Sequence, residues 1–295
     1  MESTLDLAIE MAQDGRHADA LPLFRQIVEA DPSDGISHYN LALALDTFGD
    51  VDGAIVEYRT AIDLAPDYSD AYWNLATVFF DRAEYDGALR TWLAQQENCE
   101  PEARLHARIG DAYIELAQTD QAISAYIQAT AADPNNDFFQ CRLGMCLAEA
   151  ERYDEAIVAY RRAVELDPAY VEAWVNLGVA CDNCDLVDEA HSAYLTAIAL
   201  RPTDYDAVHN LGVHYAWRDD PRRAIYCYRK AARLRSDAVL TLVAIAGRHL
   251  DACQFRAARR YAVRAKHLNK SEVPNIDDLL AEIDDQLSIA QGTNS

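Results

Sequence analysis

Six polar side chains suited to binding a peptide recur at one spacing along this sequence of 295 residues. Four are asparagines and two are arginines, and each follows the previous one after 34 residues: Asn40, Asn74, Arg108, Arg142, Asn176 and Asn210. An asparagine amide offers two donors and an acceptor, so it can pair with the backbone of an extended peptide of any sequence. A guanidinium binds carboxylates through paired hydrogen bonds. The alternative is that these asparagines only occupy helix surfaces and bond to neighbouring turns.

Catalytic and metal-binding spacings are scarce in the same sequence. Cys181 and Cys184 form one Cys-x-x-Cys pair, but no second pair accompanies it to complete a zinc site. His209 and His214 do not have the spacing of metal ligands on a helix, and there is neither an HExxH motif nor a glycine-rich phosphate loop. Seven cysteines, an odd number, argue against a disulfide framework. We therefore predict a protein without enzymatic activity, bound metal or cofactor.

The elements that must position the six side chains follow from a repeat of 34 residues, which begins at residue 1 and continues without insertion. We number the positions of each repeat from 1, so that Asn40 lies at position 6 of the second repeat. Position 20 is alanine in all eight copies, position 24 is aromatic in seven, and position 32 is proline in five. Positions 4, 7, 8 and 11 form one helical face, and positions 20, 24 and 27 form another. Each repeat is therefore predicted to contain two helices, named A and B, with B ended by the proline.

This pattern resembles the tetratricopeptide repeat, a helix–turn–helix unit. The resemblance implies an all-α fold, a right-handed superhelical solenoid of eight repeats whose A helices line a concave groove. The expected repeats are residues 1–34, 35–68, 69–102, 103–136, 137–170, 171–204, 205–238 and 239–272. Residues 273–295 do not repeat, and their apolar residues lie opposite acidic ones. We expect a capping helix there, opened by Pro274, and a frayed tail from Gln291.

In the tetratricopeptide family, positions 2, 5, 6, 9, 12 and 13 face the groove. The resemblance therefore places the following side chains there as candidate partner-binding residues: Tyr39, Asn40, Trp73, Asn74, Arg104, Arg108, Phe138, Arg142, Asn176, Asn210 and Trp217. The asparagines at position 6 resemble the ladder in the tetratricopeptide region of O-linked N-acetylglucosamine transferases, whose catalytic domain is absent from this sequence. Large aromatic side chains in a groove can act as binding anchors. The alternative is that they pack half-buried against the adjacent A helix.

Part of a second family site is also present. Some members clamp the C-terminal carboxylate of heat-shock chaperones with five residues, and Asn74, Arg104 and Arg108 match three of those positions. Tyr39 and Leu43 occupy the other two, so the full clamp is not expected.

The three groove arginines lie in an acidic half of the chain. We expect Arg104, Arg108 and Arg142 to hold a carboxylate or an acidic side chain of a partner. The alternative is that they pair with neighbouring acids of the chain itself: Asp70, Asp111 or Asp137.

The net charge of −23 is unevenly distributed. Residues 1–217 hold 12 arginines against 39 acids, residues 218–270 hold 14 cations against 4 acids, and residues 271–295 hold 6 acids and no cation. The acidic body argues against nucleic acid as a general partner.

The basic block has three interpretations. The acidic C-terminal helix can fold onto it, an acidic surface of another copy can meet it, or an acidic partner, anionic lipid or nucleic acid can bind it. Its candidate residues are Arg222, Arg223, Arg229, Lys230, Arg256, Arg259, Arg260 and Arg264.

Together these features predict a non-enzymatic adaptor or scaffold that holds an extended or helical segment of another protein in its groove. The alternative is a self-assembling structural module, a homo-oligomer in which acidic N-terminal repeats meet the basic C-terminal repeats of another copy. The N-terminus has no signal-peptide pattern, and no apolar stretch is long enough to span a bilayer. We therefore expect a cytoplasmic protein without a transmembrane segment.

Overall fold

The computed structural model describes residues 4–268 and 275–292. Within those two ranges the chain forms seventeen helices and no strand. It divides into two compact units, Met1–Ala150 and Glu151–Ser295, with the boundary between the A and B helices of the fifth repeat. Pro274, the expected end of the last repeat at 272, and the tail at 293–295 lie outside the described residues.

The first unit contains five A helices and four B helices. They are α1 (Thr4–Gln13), α2 (His17–Ala30), α3 (Gly35–Phe48), α4 (Val51–Leu64), α5 (Ser69–Asp81), α6 (Tyr85–Asn98), α7 (Ala103–Glu115), α8 (Thr119–Ala132) and α9 (Asp137–Glu149). Each helix packs against the next one along the chain.

The second unit begins with a B helix and ends with a helix outside the repeats. Its helices are α10 (Tyr153–Leu166), α11 (Val171–Asn183), α12 (Val187–Leu200), α13 (Tyr205–Trp217), α14 (Pro221–Leu234), α15 (Val239–Asp251), α16 (Phe255–Leu268) and α17 (Ile276–Gly292). Every B helix of both units occupies positions 17–30, and every A helix except α1 begins at position 1. The predicted all-α helical repeat of the solenoid class is therefore confirmed.

The core of each helix pair is built from alanine and one aromatic ring. The alanines at position 20 are fully buried, and the aromatic side chains at position 24 are at most 4% exposed. Small side chains let two helices approach closely, and the ring fills the space beside that contact. The helical faces predicted from the repeat are therefore the packed ones.

One further detail of this packing concerns the small residue at position 8. The small residue at position 8 lies directly against the aromatic ring at position 24, and not only against the alanine at position 20. A Cβ atom on Gly178 would lie 2.6 Å from Cε1 of Tyr194, inside van der Waals contact. Gly110 and Gly212 have the same relation to Tyr126 and Tyr228. A Cβ atom at any of these three sites would therefore force the ring or the helix to shift.

The turn from A to B has one backbone conformation throughout. Position 15 has a positive φ in all eight described repeats, between 53° and 91°. Gly15 and Gly49 adopt this left-handed conformation easily. The other six are ordinary L-residues: Ala83, Ala117, Glu151, Asp185, Asp219 and Cys253. Packing of the helix pair therefore imposes the turn even where the residue does not favour it.

The helix α17 covers the end of the repeats in the second unit. Ile276 and Ile283 are buried, and α17 packs against α15 and α16. The helix continues to Gly292. Among the described helices, none combines the length and apolar character needed to cross a bilayer.

Candidate functional site

Side chains of successive A helices meet on one face of the first unit. Asn74 Nδ2 on α5 donates a hydrogen bond of 3.0 Å to Tyr39 Oη on α3. The guanidinium of Arg104 on α7 lies 4.6 Å from the ring centroid of Trp73 on α5. Arg142 Nη2 on α9 lies 2.7 Å from Asp111 on α7. The four helices α3, α5, α7 and α9 therefore present one lateral surface, here called the A face of the first unit.

Arg142 is held by the chain itself. Its Nη2 donates to Asp111 Oδ1 at 2.7 Å, and its Nε donates to Tyr126 Oη at 3.1 Å. The Tyr126 hydroxyl in turn donates to Asp111. Burial, and secondarily the charge of Asp111, raises the pKa of Tyr126. These contacts favour the alternative of internal pairing for Arg142, which is better placed to fix α7 against α9 than to bind a partner.

Arg104 and Arg108 remain available on the same face. The side chain of Arg104 is 54% exposed, paired with Glu102 at 2.7 Å and stacked on Trp73. The side chain of Arg108 is 48% exposed, and its closest carboxylate contact is 3.5 Å, to Asp111. Phe138 lies on the neighbouring A helix and is 47% exposed. Two solvent-accessible cations and an exposed ring therefore lie on adjacent turns of the A face.

Carboxylates line the other end of the same helices. Position 13 of α5, α7 and α9 carries an acid, and position 12 of α3 carries another: Asp81, Glu115, Glu149 and Asp46. Burial, and then the charge of Asp81, raises the pKa of Asp46, so these two carboxylates are close enough to interact. Positions 2, 6, 9 and 13 share one helical face. The A face is therefore polarised, with cations toward the start of α7 and acids toward the helix ends.

The position-6 asparagines are half-buried and do not behave alike. Asn40 Nδ2 donates to the carbonyl of Ile36 within its own helix, as the structural alternative expects. Asn74 bonds to Tyr39, so both of these amides already use one donor. Asn176 and Asn210, in the second unit, form no side-chain hydrogen bond within residues 4–268 and 275–292. These two have the most hydrogen-bonding capacity left for a peptide.

The A helices of the second unit also expose apolar side chains. Trp217 is 60% exposed and Leu240 is 62% exposed. Val179, on the same helix as Asn176, is 36% exposed. A segment on this surface would meet amides and apolar side chains, in contrast to the charged A face of the first unit.

A buried carboxylate in the second unit was not singled out from the sequence. Asp182 lies at position 12 of α11, and its side chain is 3% exposed. Its Oδ1 accepts from His214 Nδ1 at 2.7 Å and pairs with Arg218 at 3.2 Å, while its Oδ2 accepts from Tyr194 Oη at 3.1 Å. The signal in the sequence is an acid at a position that is apolar in six of the other seven repeats. The network joins α11, α12 and α13 and has a structural role.

Two histidines of the second unit should make its stability depend on pH. Burial lowers the pKa of both His191 and His209 below the ordinary value of 6.5, and the charge of His214 adds to the effect at His191. The unfolded chain therefore binds protons at a higher pH than the folded one. The contribution of these two histidines to stability is fully present above about pH 6.5. It is lost as the pH falls from there toward their pKa values in the folded protein. Urea unfolding at a series of pH values measures this decline.

The control for this prediction is the double variant His191→Gln with His209→Gln. Removing both groups should flatten the dependence on pH in that interval. The same decline in the variant and the parent would assign it to other groups.

The predicted basic residues are divided between two helices. Arg222, Arg229 and Lys230 lie on the outward surface of α14, where Arg223 pairs with Asp220 at 3.4 Å. On α16, Arg259 pairs with Asp284 of α17 at 2.6 Å, and Lys266 pairs with Asp277 at 2.6 Å. The others on α16 have different surroundings: Arg256 is exposed, Arg260 lies over Tyr261, and Arg264 donates to the carbonyl of Ser236. An internal acidic cap therefore covers part of α16 and leaves the surface of α14 free.

Comparison with known proteins is consistent with this architecture. Family profiles described as "TPR repeat" and "Tetratricopeptide repeat" match residues 5–67, 48–98, 103–136, 146–181 and 171–204. A search of curated proteins gave no match.

Among solved structures, YrrB, a TPR protein with an unusual peptide-binding site, is 24% identical to this chain. The match has a TM-score of 0.58 and covers 63% of this chain and 96% of that one. MamA is 27% identical with a TM-score of 0.51, covering 56% and 96%. A tetratricopeptide repeat protein from Parabacteroides merdae is 16% identical with a TM-score of 0.63, covering 84% and 98%.

Proposed function

Because this chain belongs to the tetratricopeptide-repeat family, we propose that it is a non-enzymatic adaptor whose A face binds a segment of another protein. Helical repeats of this kind bury their apolar positions between neighbours and present an open surface, which suits binding better than catalysis. YrrB, a similar repeat protein, has a peptide-binding site, which supports the same use of the fold.

The observation that carries this proposal is the pair of exposed cations on α7. Trp73 and Glu102 hold the guanidinium of Arg104 in place while leaving it 54% exposed. Arg108 follows one turn later on the same face with only a long contact to Asp111. A carboxylate that binds between them would gain charge-assisted hydrogen bonds from groups that are already ordered.

The separation of cations from acids on the A face indicates which charges a bound segment should carry. Acidic side chains of a partner would meet Arg104 and Arg108, and basic side chains would meet the acids at the helix ends. In an extended segment, successive side chains point in opposite directions. A segment that alternates acidic and basic residues would therefore match both edges, with Phe138 available for an apolar residue between them.

Asn176 and Asn210 extend the proposal to the second unit. Their amides form no hydrogen bond with other described residues and can pair with the backbone of a bound segment. Trp217 and Leu240 offer apolar contact on the same set of helices. We infer that the second unit binds a less charged stretch, with affinity from the backbone and apolar side chains.

The decisive variant is Arg104→Ala with Arg108→Ala, because both side chains are exposed and neither is part of the core. The probe is a fluorescein-labelled extended peptide of alternating Glu and Lys, titrated by fluorescence anisotropy. We expect the variant to bind it about tenfold or more weakly, equivalent to ~1.4 kcal/mol. A second peptide, with Gln in place of Glu, should bind both proteins equally.

The matched control is Arg25→Ala with Arg90→Ala, which removes the same charge from exposed positions on B helices. This variant should retain the affinity of the parent. Equal affinity of all three proteins for the Glu–Lys peptide would contradict the proposed role of α7.

A further inference from the structure

The charge at two positions on the outward surface of the B helices reverses along the chain. Position 18 is aspartate in five consecutive B helices: Asp52, Asp86, Asp120, Asp154 and Asp188. The same position is arginine in the last two, Arg222 and Arg256. Position 29 is acidic in four earlier helices and is Arg233 in α14. Equivalent sites of one repeated element therefore carry opposite charges.

The outward surface of α14 is basic and largely free of neutralising partners. We call its five residues the basic face: Arg222, Tyr226, Arg229, Lys230 and Arg233. Its four cations have no carboxylate partner within the part of the chain that the structure describes. Tyr226 is 72% exposed at the centre of the face, and the cations and Tyr226 line an open groove of about 500 Å³. Tyrosine and arginine are the side chains that protein interfaces favour.

Local helix stability does not account for this face. An aspartate in the first turn of a helix interacts favourably with the helix dipole, whereas a cation there is unfavourable by ~0.3–1 kcal/mol. Arg222 and Arg223 both lie in the first turn of α14. By contrast, Arg259 and Lys266 of α16 are neutralised by the acidic helix α17.

A complementary surface is present on α4 of the first unit. Positions 18, 22 and 29 of that helix hold Asp52, Val56 and Asp63, here called the acidic face, and the exposed Arg59 at position 25 lies beside them. Asp52 is 88% exposed despite its ion pair with Arg82, and Val56 is 58% exposed. An exposed pair of this kind contributes only ~0–1 kcal/mol, so it can be exchanged for another.

The two faces match in spacing as well as in charge. Positions 18 and 29 are about 16 Å apart along any α-helix, at 1.5 Å per residue. When the two helices run parallel, the charges at the ends of one face align with those of the other and Val56 meets Tyr226. Arg59 then lies opposite Arg229, and this like-charged pair weakens the contact. Residues 1–217 carry a net charge of −27 and residues 218–270 a net charge of +10, so each copy contributes both signs.

We propose that copies of this protein associate head to tail, with the basic face of α14 in one copy docked on the acidic face of α4 in the next. The two surfaces differ, so the contact is heterologous and each copy keeps one of each face free. Such an interface extends into open chains unless the geometry closes a ring. A contact between two single helices is small, so the association is weak and sensitive to salt.

Sedimentation velocity of the full chain tests the proposal. At low ionic strength the average sedimentation coefficient should rise with protein concentration, and this rise should disappear at high salt as the Debye length falls from ~10 Å at 0.1 M to ~3 Å at 1 M. Two variants remove one face each: R222D with R233D, and D52R with D63R. Each alone should raise the apparent dissociation constant about tenfold or more.

Mixing the two variants provides the stronger test. The first keeps an intact acidic face and the second an intact basic face, so an equimolar mixture should associate although neither variant does so alone. R25D with R201D makes the same change of net charge at other exposed positions and should associate like the parent. Circular dichroism should show the helix content of the parent in all variants.

Several outcomes would overturn the proposal. A parent protein that stays monomeric at low salt has no such interface, and association that survives both face variants uses another surface. If the mixture of the two face variants stays monomeric, α4 of one copy does not pair with α14 of another. Binding of a single-stranded oligonucleotide to α14 by a monomeric parent would assign the basic face to a different class of partner.

Discussion

Replacing Asp182 by alanine is expected to lower the free energy of unfolding of the second unit by about 3–5 kcal/mol. The carboxylate is 3% exposed and pairs with His214 and Arg218 while accepting from Tyr194. Removal of one partner from a buried charged network leaves the others without hydrogen bonds in a medium where water cannot replace them. The loss therefore exceeds what a surface ion pair would give.

Hydrogen–deuterium exchange tests this prediction for each helix separately. Protection should decrease in α11, α12 and α13, which the network joins, while the helices of the first unit keep their exchange rates. Asp188→Ala removes an exposed acid from the first turn of the neighbouring helix α12 and should cost only its interaction with the helix dipole, ~0.3–1 kcal/mol. Equal protection in the Asp182 variant and the parent would show that the network contributes little.

Gly178→Ala should destabilise the second unit by roughly 1–3 kcal/mol, because the new Cβ would lie 2.6 Å from the ring of Tyr194. Gly247→Ala is its matched counterpart, since no atom lies within 4 Å of a Cβ there and α15 continues on both sides. Alanine is a better helix former than glycine by ~1 kcal/mol, so this variant should gain stability. The two substitutions are chemically the same and should differ by up to about 4 kcal/mol.

Thermal or urea denaturation of the two glycine variants beside the parent supplies the measurement. Opposite signs are expected, with Gly178→Ala below the parent and Gly247→Ala above it. If both variants gained stability, Tyr194 would have to move aside at little cost, and the contact between positions 8 and 24 would not limit the approach of the helices.

The fold was predictable because its determinants are local and repeated. Alanine at position 20 and an aromatic at position 24 recur in register, so eight copies indicate the same two helices at the same boundaries. The sequence could not show that Tyr194 lies against Gly178, since the direction of a ring depends on its side-chain torsion angles. Chain spacing alone also could not reveal the division into two units within the fifth repeat.

The candidate site was predictable only in part. Whether a side chain is free to bind a partner depends on contacts with residues that are distant in sequence. Arg108 and Arg142 occupy the same repeat position, yet Arg142 is engaged by Asp111 and Tyr126 while Arg108 remains exposed. Asn40 and Asn176 differ in a similar way. Which member of a ladder can bind is decided by three-dimensional contacts, and the choice of Arg104 and Arg108 stays a prediction until tested.

The left-handed turns at position 15 bear on how pieces of this protein would behave. Six of the eight turns place a non-glycine residue at positive φ, at a cost of ~1–2 kcal/mol each. Packing against the adjoining repeats offsets that strain. A helix pair cut out of the chain loses this packing, so its turn should relax to another conformation. A truncated chain should therefore end between whole repeats and retain a covering helix. An isolated helix pair of this sequence lacks the contacts that hold its turn at positive φ.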